Sequence, residues 1–153
     1  MWFYIFLACS VKQASIQSTE QPTAEITNEG VLYAQLQEQL NEWSSQGKPN
    51  TITPDRELVM KDVASWIHEK QQKNERAELI FVCTHNSRRS HMSQLWAQAA
   101  AEYLNITHVQ TYSGGTEATA FNPRSVRALS THGFVITDTQ ERTENPIYAT
   151  KLG

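Results

Sequence analysis

The sequence predicts an α/β fold, a three-layer doubly wound parallel sheet with an added helical region on its N-terminal side. Three observations carry this. Residues 79–82 (LIFV) form a short continuous apolar run with the branched and aromatic composition of a strand buried on both faces. Immediately beyond it the period becomes helical, with Met92, Leu95, Trp96, Ala99, Ala100 and Tyr103 on one face. The alternation then continues, giving β-α-β-α-β, and right-handed crossovers between parallel strands put helices on both sides of the sheet. Ligands of such a sheet bind outside the carboxyl ends of its strands.

The elements follow in chain order. Between residues 31 and 43, Leu32, Leu36, Leu40 and Trp43 share a helical face, and Gly47 and Pro49 end that helix. A second helix starts at Thr53-Pro54, where the hydroxyl can cap and the proline suits the first turn; Val59, Val63, Trp66 and Ile67 are its stripe. The first strand ends on Cys83, and the helix after it is followed by an alternating strand at 107–112. That strand runs into Ser113-Gly114-Gly115-Thr116, read as a loop whose glycines can take positive φ. Asn122-Pro123 caps a helix carrying Val126 and Leu129, Gly133 stops it, and residues 134–136 read as a third strand. Residues 145–150 enter another strand, and the chain reads as truncated at its C-terminal end.

Composition bounds the function. The 153 residues suffice for one domain, and 13 basic against 16 acidic side chains, a formal charge of −3, give no footprint for nucleic acid. Two cysteines, Cys9 and Cys83, make no disulfide framework. Residues 2–8 (WFYIFLA) are too short to span a bilayer, which takes about 20 apolar residues. They stand at the lower edge of a secretory segment, and Phe6-Leu7-Ala8-Cys9 resembles the cleavage box of bacterial lipoproteins, although no Lys or Arg precedes it. Two readings stay open for residues 1–9: a signal whose Cys9 becomes a membrane tether, or an apolar terminus of an ordinary chain. Residues 10–29 have the Ser, Thr, Gln and Glu content of a flexible linker. The domain is then 30–153, with a helical part at 30–74 and the core at 77–153; its location is cytoplasmic, or envelope-anchored under the signal reading.

The chemistry concentrates between the first strand and its helix, in Cys83-Thr84-His85-Asn86-Ser87-Arg88-Arg89-Ser90. A loop folded back at a helix N-terminus aims backbone N–H groups at one point and adds the positive end of the dipole, which suits an oxyanion. Arg89 adds a planar fork that can hold two oxygens of a phosphate or arsenate. The same donors favour thiolate at Cys83, and Ser90 can donate a hydrogen bond to it. The sequence thus nominates Cys83, Arg89 and Ser90 as catalytic and Thr84, His85, Asn86, Ser87, Arg88 and Arg89 as the phosphate-binding loop. A nucleophile facing an anion pocket implies a cysteinyl-phosphate that water hydrolyses, with no cofactor and no metal. His91 and His132 read as helix-surface residues, and His85 as an imidazole at the pocket rim.

FVCTHNSRRSHMSQLWAQ resembles the active-site segment of the low-molecular-weight protein-tyrosine phosphatase superfamily, which includes the thioredoxin-coupled arsenate reductases. Cys83, Asn86, Arg89 and Ser90 match its Cys-x-x-Asn-x-x-Arg-Ser pattern, and the resemblance implies nucleophile, loop brace, anion clamp and thiolate partner. It extends over about residues 77 to 150 and is nearest to a bacterial, phosphatase-like branch. The resemblance implies a phosphorylated protein or small phosphomonoester as substrate. Arsenate with a thiol reductant is an alternative, and a non-catalytic oxyanion-binding module is another.

Three departures bear on that choice. His85 replaces the usual glycine and must tolerate its backbone angles, while Arg88 stands where many relatives have a second cysteine. No cysteine follows Cys83, so the disulfide relay of the reductases has no partners here. The family's proton donor is an aspartate in an Asp-Pro loop; this sequence has no Asp-Pro, and Asp138 is the fallback among Asp55, Asp62 and Asp138.

Overall fold

The computed structural model describes residues 32–47, 52–117, 119–138 and 148–152. The expectations for residues 1–9, including Cys9, and for the 10–29 linker lie outside the described residues, as do Pro49 and residues 145–147. The order is α1 (Ala34–Ser45), α2 (Pro54–Gln72), β1 (Ala77–Cys83), α3 (Arg89–Tyr103), β2 (Val109–Gly115), α4 (Pro123–Ser130), β3 (Val135–Asp138) and β4 (Tyr148–Lys151). The α/β class and the β-α-β-α-β order are those expected.

β1 and β2 pair in parallel from Ala77 opposite Val109 to Cys83 opposite Gly115, with α3 as the crossover packed on both strands. Ser113, Gly114 and Gly115 are therefore strand residues rather than a loop. Gly115 is needed for close approach: a Cβ there would come within 2.5 Å of the Asn86 amide nitrogen and 2.7 Å of the Cys83 carbonyl oxygen. The last pair of the sheet thus lies directly beneath the loop that leaves Cys83.

The sheet departs from the doubly wound expectation in two respects. Among the described residues β3 does not extend it; β3 pairs antiparallel with β4, Val135 opposite Lys151 through Asp138 opposite Tyr148. Strands consecutive in the chain can pair this way without a crossover. Secondly, β1 is covered on one face: Leu79, Phe81 and Cys83 alternate with Ile80 and Val82, which are 66% and 65% exposed. A continuous apolar run is compatible with burial on one side or on two, and the pattern alone does not distinguish them.

The core lies on the other side of α3. Leu32, Leu36 and Leu40 meet Ala99 of α3, Phe121, Leu129 of α4 and Phe134. Gly133 ends α4 with φ +96°, and a Cβ there would sit 2.7 Å from the Leu36 amide nitrogen, so α1 packs on bare backbone at that point. Trp43, the last residue of the expected stripe, is exposed, with its ring tilted against Trp96 at 4.7 Å between centroids. α2 differs most from expectation. It has no buried residue, and Val59, Val63 and Trp66 are exposed. Its C-terminal end meets the sheet, where the Gln71 side chain donates to the Thr107 carbonyl at 3.3 Å. Pro54 does occupy its first position, but Thr53 makes no side-chain cap. Asn122 makes the expected cap, accepting from the Arg124 amide at 3.0 Å.

Candidate oxyanion site

The loop from Thr84 to Arg88 is shaped by where its carbonyls go. Thr84 accepts from the amides of Thr116 and Glu117, at 2.9 and 3.0 Å. The His85 carbonyl accepts from the Thr119 hydroxyl, and the Ser87 carbonyl accepts from the Asn122 amide at 2.8 Å. Ser87 also donates its hydroxyl to the Ala120 carbonyl at 2.7 Å. The segment between β2 and α4 therefore draws loop carbonyls outward, and a loop with its carbonyls turned out turns amides in. The residue with left-handed backbone is Asn86, at φ +43°, and not His85. Asparagine accepts that conformation more readily than most side chains, so histidine in the preceding position carries no such strain.

The inward amides converge on sulfur. Burial by itself raises the Cys83 pKa, but the Ser90 hydroxyl and the backbone amides of Ser90, Ser87 and Asn86 outweigh it and bring the thiol from 9.0 to about 6. The Arg89 guanidinium, expected to share in this, is not among the causes. Cys83 Sγ lies 3.1 Å from Ser90 Oγ, and Ser90 Oγ lies 2.8 Å from Asn86 Oδ1. One hydroxyl proton cannot serve both acceptors. With the sulfur ionised, Ser90 donates to Sγ, and Asn86 must then turn its NH₂ group toward Ser90 Oγ. Ser90 itself is 2% exposed, so its hydroxyl is shielded from water.

A cavity of about 630 Å³ opens over this loop, with Cys83, His85, Ser87, Arg88 and Arg89 on its lining. Thr119, Asn122 and Ser125 line it from the β2–α4 side, and Met92 from α3. Of the residues nominated from sequence, the structure gathers these five around the cavity. Thr84, Asn86 and Ser90 lie beneath or behind it as loop supports. Among the described residues neither Arg88 nor Arg89 has an acidic partner, so both guanidiniums are available to an anion. Asp138 is not on the lining; it ends β3 opposite Tyr148, whose pKa it raises together with burial.

Two neighbours escaped the sequence reading. Glu117 Oε2 stands 2.9 Å from His85 Nδ1 at the rim. His91 is half-buried on its helix: it stacks on Phe121 at 4.3 Å, its Nδ1 lies 3.0 Å from Ser113 Oγ, and its ring also bonds the Asn86 backbone. Burial lowers its pKa, so it braces the loop as a neutral ring. The signal for both was their place in sequence, His91 next to the loop and Glu117 just past the Ser-Gly-Gly-Thr stretch that ends β2, but only the fold shows which way they face. Among the described residues no three His, Cys, Asp or Glu side chains gather as a metal site.

A parallel strand that ends on a low-pKa cysteine, a loop with inward amides and an arginine at the following helix N-terminus make this loop the candidate oxyanion site. Residues 78–149, which contain all of these residues, match the family model described as low molecular weight phosphotyrosine protein phosphatase. The family is of α/β fold, and the match supports a phosphatase-type function with phosphorylated substrates in general. No curated protein and no solved structure matches the chain.

Proposed function

We propose that the chain is a cysteine-dependent phosphatase that hydrolyses phosphotyrosine or a small phosphomonoester through a cysteinyl-phosphate intermediate. One observation carries the reading: the Cys83 sulfur, with its pKa near 6, lies on the lining of a cavity that also holds two guanidiniums without acidic partners among the described residues. At pH 7 such a sulfur is mostly thiolate. In the first step the Sγ lone pair attacks phosphorus, the ester P–O bond breaks, and its electron pair stays on the leaving oxygen, which takes up a proton. In the second step water attacks phosphorus, loses a proton, and the S–P bond breaks to return the pair to sulfur. Arg89, with the amides, holds the non-bridging oxygens through both steps, where charge builds up. Ser90 stabilises the sulfur as nucleophile and again as leaving group.

The test is hydrolysis of a chromogenic aryl phosphate by the protein and by Cys83→Ser. A loss of more than about 10³-fold in the variant is expected, since an alkoxide cannot form where a thiolate does. Equal rates overturn the proposal. The rate of the unsubstituted protein should fall below about pH 6, as the sulfur protonates.

A further inference from the structure

We propose that Thr119 is a positioning residue for the nucleophile: its hydroxyl holds the His85–Asn86 peptide in the orientation that aims the Asn86 amide at the Cys83 sulfur. A trans peptide carries its carbonyl and the next residue's N–H on opposite sides of one plane, so whatever fixes the carbonyl also fixes the amide. The His85 carbonyl accepts from the Thr119 hydroxyl, and the Asn86 N–H of that same peptide is one of the donors to Cys83. The bond comes from the segment between β2 and α4 and draws the carbonyl away from the sulfur.

This peptide needs such a hold. Asn86 has φ +43°, in the left-handed region that asparagine tolerates but does not prefer. Turning the His85–Asn86 plane over would return that φ to the negative region and leave the chain direction on either side nearly unchanged. The relaxed loop would then present the His85 carbonyl to the thiolate in place of the Asn86 N–H, an acceptor where a negative charge needs a donor. Thr119 opposes the turn by keeping the carbonyl outside. Gly115 leaves room for the peptide in this orientation, since a Cβ there would meet the Asn86 nitrogen at 2.5 Å.

The neighbouring carbonyls are held in another way. Thr84 and Ser87 accept from the backbone amides of Thr116, Glu117 and Asn122, which most substitutions leave in place. The His85 carbonyl accepts from a hydroxyl, so its hold depends on the identity of residue 119. Loss of that hydroxyl frees one donor to the sulfur, while the Ser90 hydroxyl and the amides of Ser90 and Ser87 remain, so the effect on the thiolate is partial.

Two substitutions separate the hydroxyl from the outline of the side chain. Thr119→Val keeps the branched shape and removes the donor; Thr119→Ser keeps the donor. Alkylation by iodoacetamide against pH should give a Cys83 midpoint about one pH unit higher in Thr119→Val and unchanged, at about 6, in Thr119→Ser. The charged and titratable groups around the sulfur are His85, Arg88 and Arg89 from its own loop and helix, His91 from α3 and Glu117 from the turn after β2. All are common to both variants, so the difference between them reports the hydroxyl. Thr119→Ala is a second donor-free variant with the same expected rise. In amide NMR spectra the Asn86 proton should follow the sulfur's titration in the unsubstituted protein and not in Thr119→Val. A midpoint unmoved in the donor-free variants, or raised equally in Thr119→Ser, overturns the role of Thr119, and so does an Asn86 proton that follows the sulfur alike with and without the hydroxyl.

The consequence for turnover rests on the phosphatase reading above: the acidic limb of 4-nitrophenyl phosphate hydrolysis should move in Thr119→Val by as much as the alkylation midpoint. If Cys83→Ser hydrolyses that ester as fast as the unsubstituted protein, the phosphatase reading has failed, and alkylation still decides the role of Thr119.

Discussion

At the scale of single residues, Ser90 controls the sulfur. It is 2% exposed, it supplies a hydroxyl and an amide to Cys83, and it links the sulfur to Asn86. Removing the hydroxyl leaves the amides of Ser90, Ser87 and Asn86 in place, so Ser90→Ala should raise the Cys83 pKa from about 6 part of the way toward 9.0. Alkylation by iodoacetamide against pH reads this directly: the midpoint should move upward, and a midpoint left at about 6 would mean that the hydroxyl does not hold the thiolate. This part of the site was legible in the sequence. Cys83, Arg89 and Ser90 are close in the chain, and a strand-loop-helix turn brings such neighbours together whatever the rest of the fold does. Glu117 and His91 were not legible, since each gains its meaning from a residue more than twenty positions away, His85 and Ser113 respectively.

At the scale of elements, the connection from β2 to α4 shapes the site as much as the loop does. Asn122 caps α4 with its side chain and holds the Ser87 carbonyl with its amide. Asn122→Ala keeps the second bond and loses the first, at a cost of about 1 kcal/mol. Chemical denaturation should show that loss with little change in the Cys83 pKa; a large rise in that pKa would tie the cap to the nucleophile more closely than the bonds indicate. α4 was readable because its cap and its stop, Asn122-Pro123 and Gly133, are local signals. α2 was readable as a helix but not as a surface. Its spacing of Val59, Val63 and Trp66 is that of a covered face, yet these side chains are exposed among the described residues, because periodicity reports which residues share a face and not what that face meets. The same limit applies to Ile80 and Val82, and to β3, whose antiparallel partner begins ten residues further along.

At the scale of the whole molecule, the thiolate links folding to pH. A thiol whose pKa is lowered by folding contributes stability that is present above its unfolded value, near 9.0, and is lost as pH falls through about 6. Cys83→Ser lacks this contribution. The difference in Tm between the unsubstituted protein and the variant should therefore grow between pH 6 and pH 9 in favour of the unsubstituted protein. A difference that stays constant across that range would show that the sulfur is not ionised in the folded state.

The abutment of Gly115 against Asn86 and Cys83 makes the sheet and the turn after Cys83 a single assembly. Were β2 to slide along β1 so that Thr116 took the place of Gly115, its side chain would be driven into the space that only hydrogen now fills, and the turn could not close over its sulfur. A molecule misaligned in this way would keep much of its secondary structure and yet lose the amides that hold the Cys83 thiol down, so the Cys83 pKa is a stricter gauge of correct strand alignment than any spectrum of helix content.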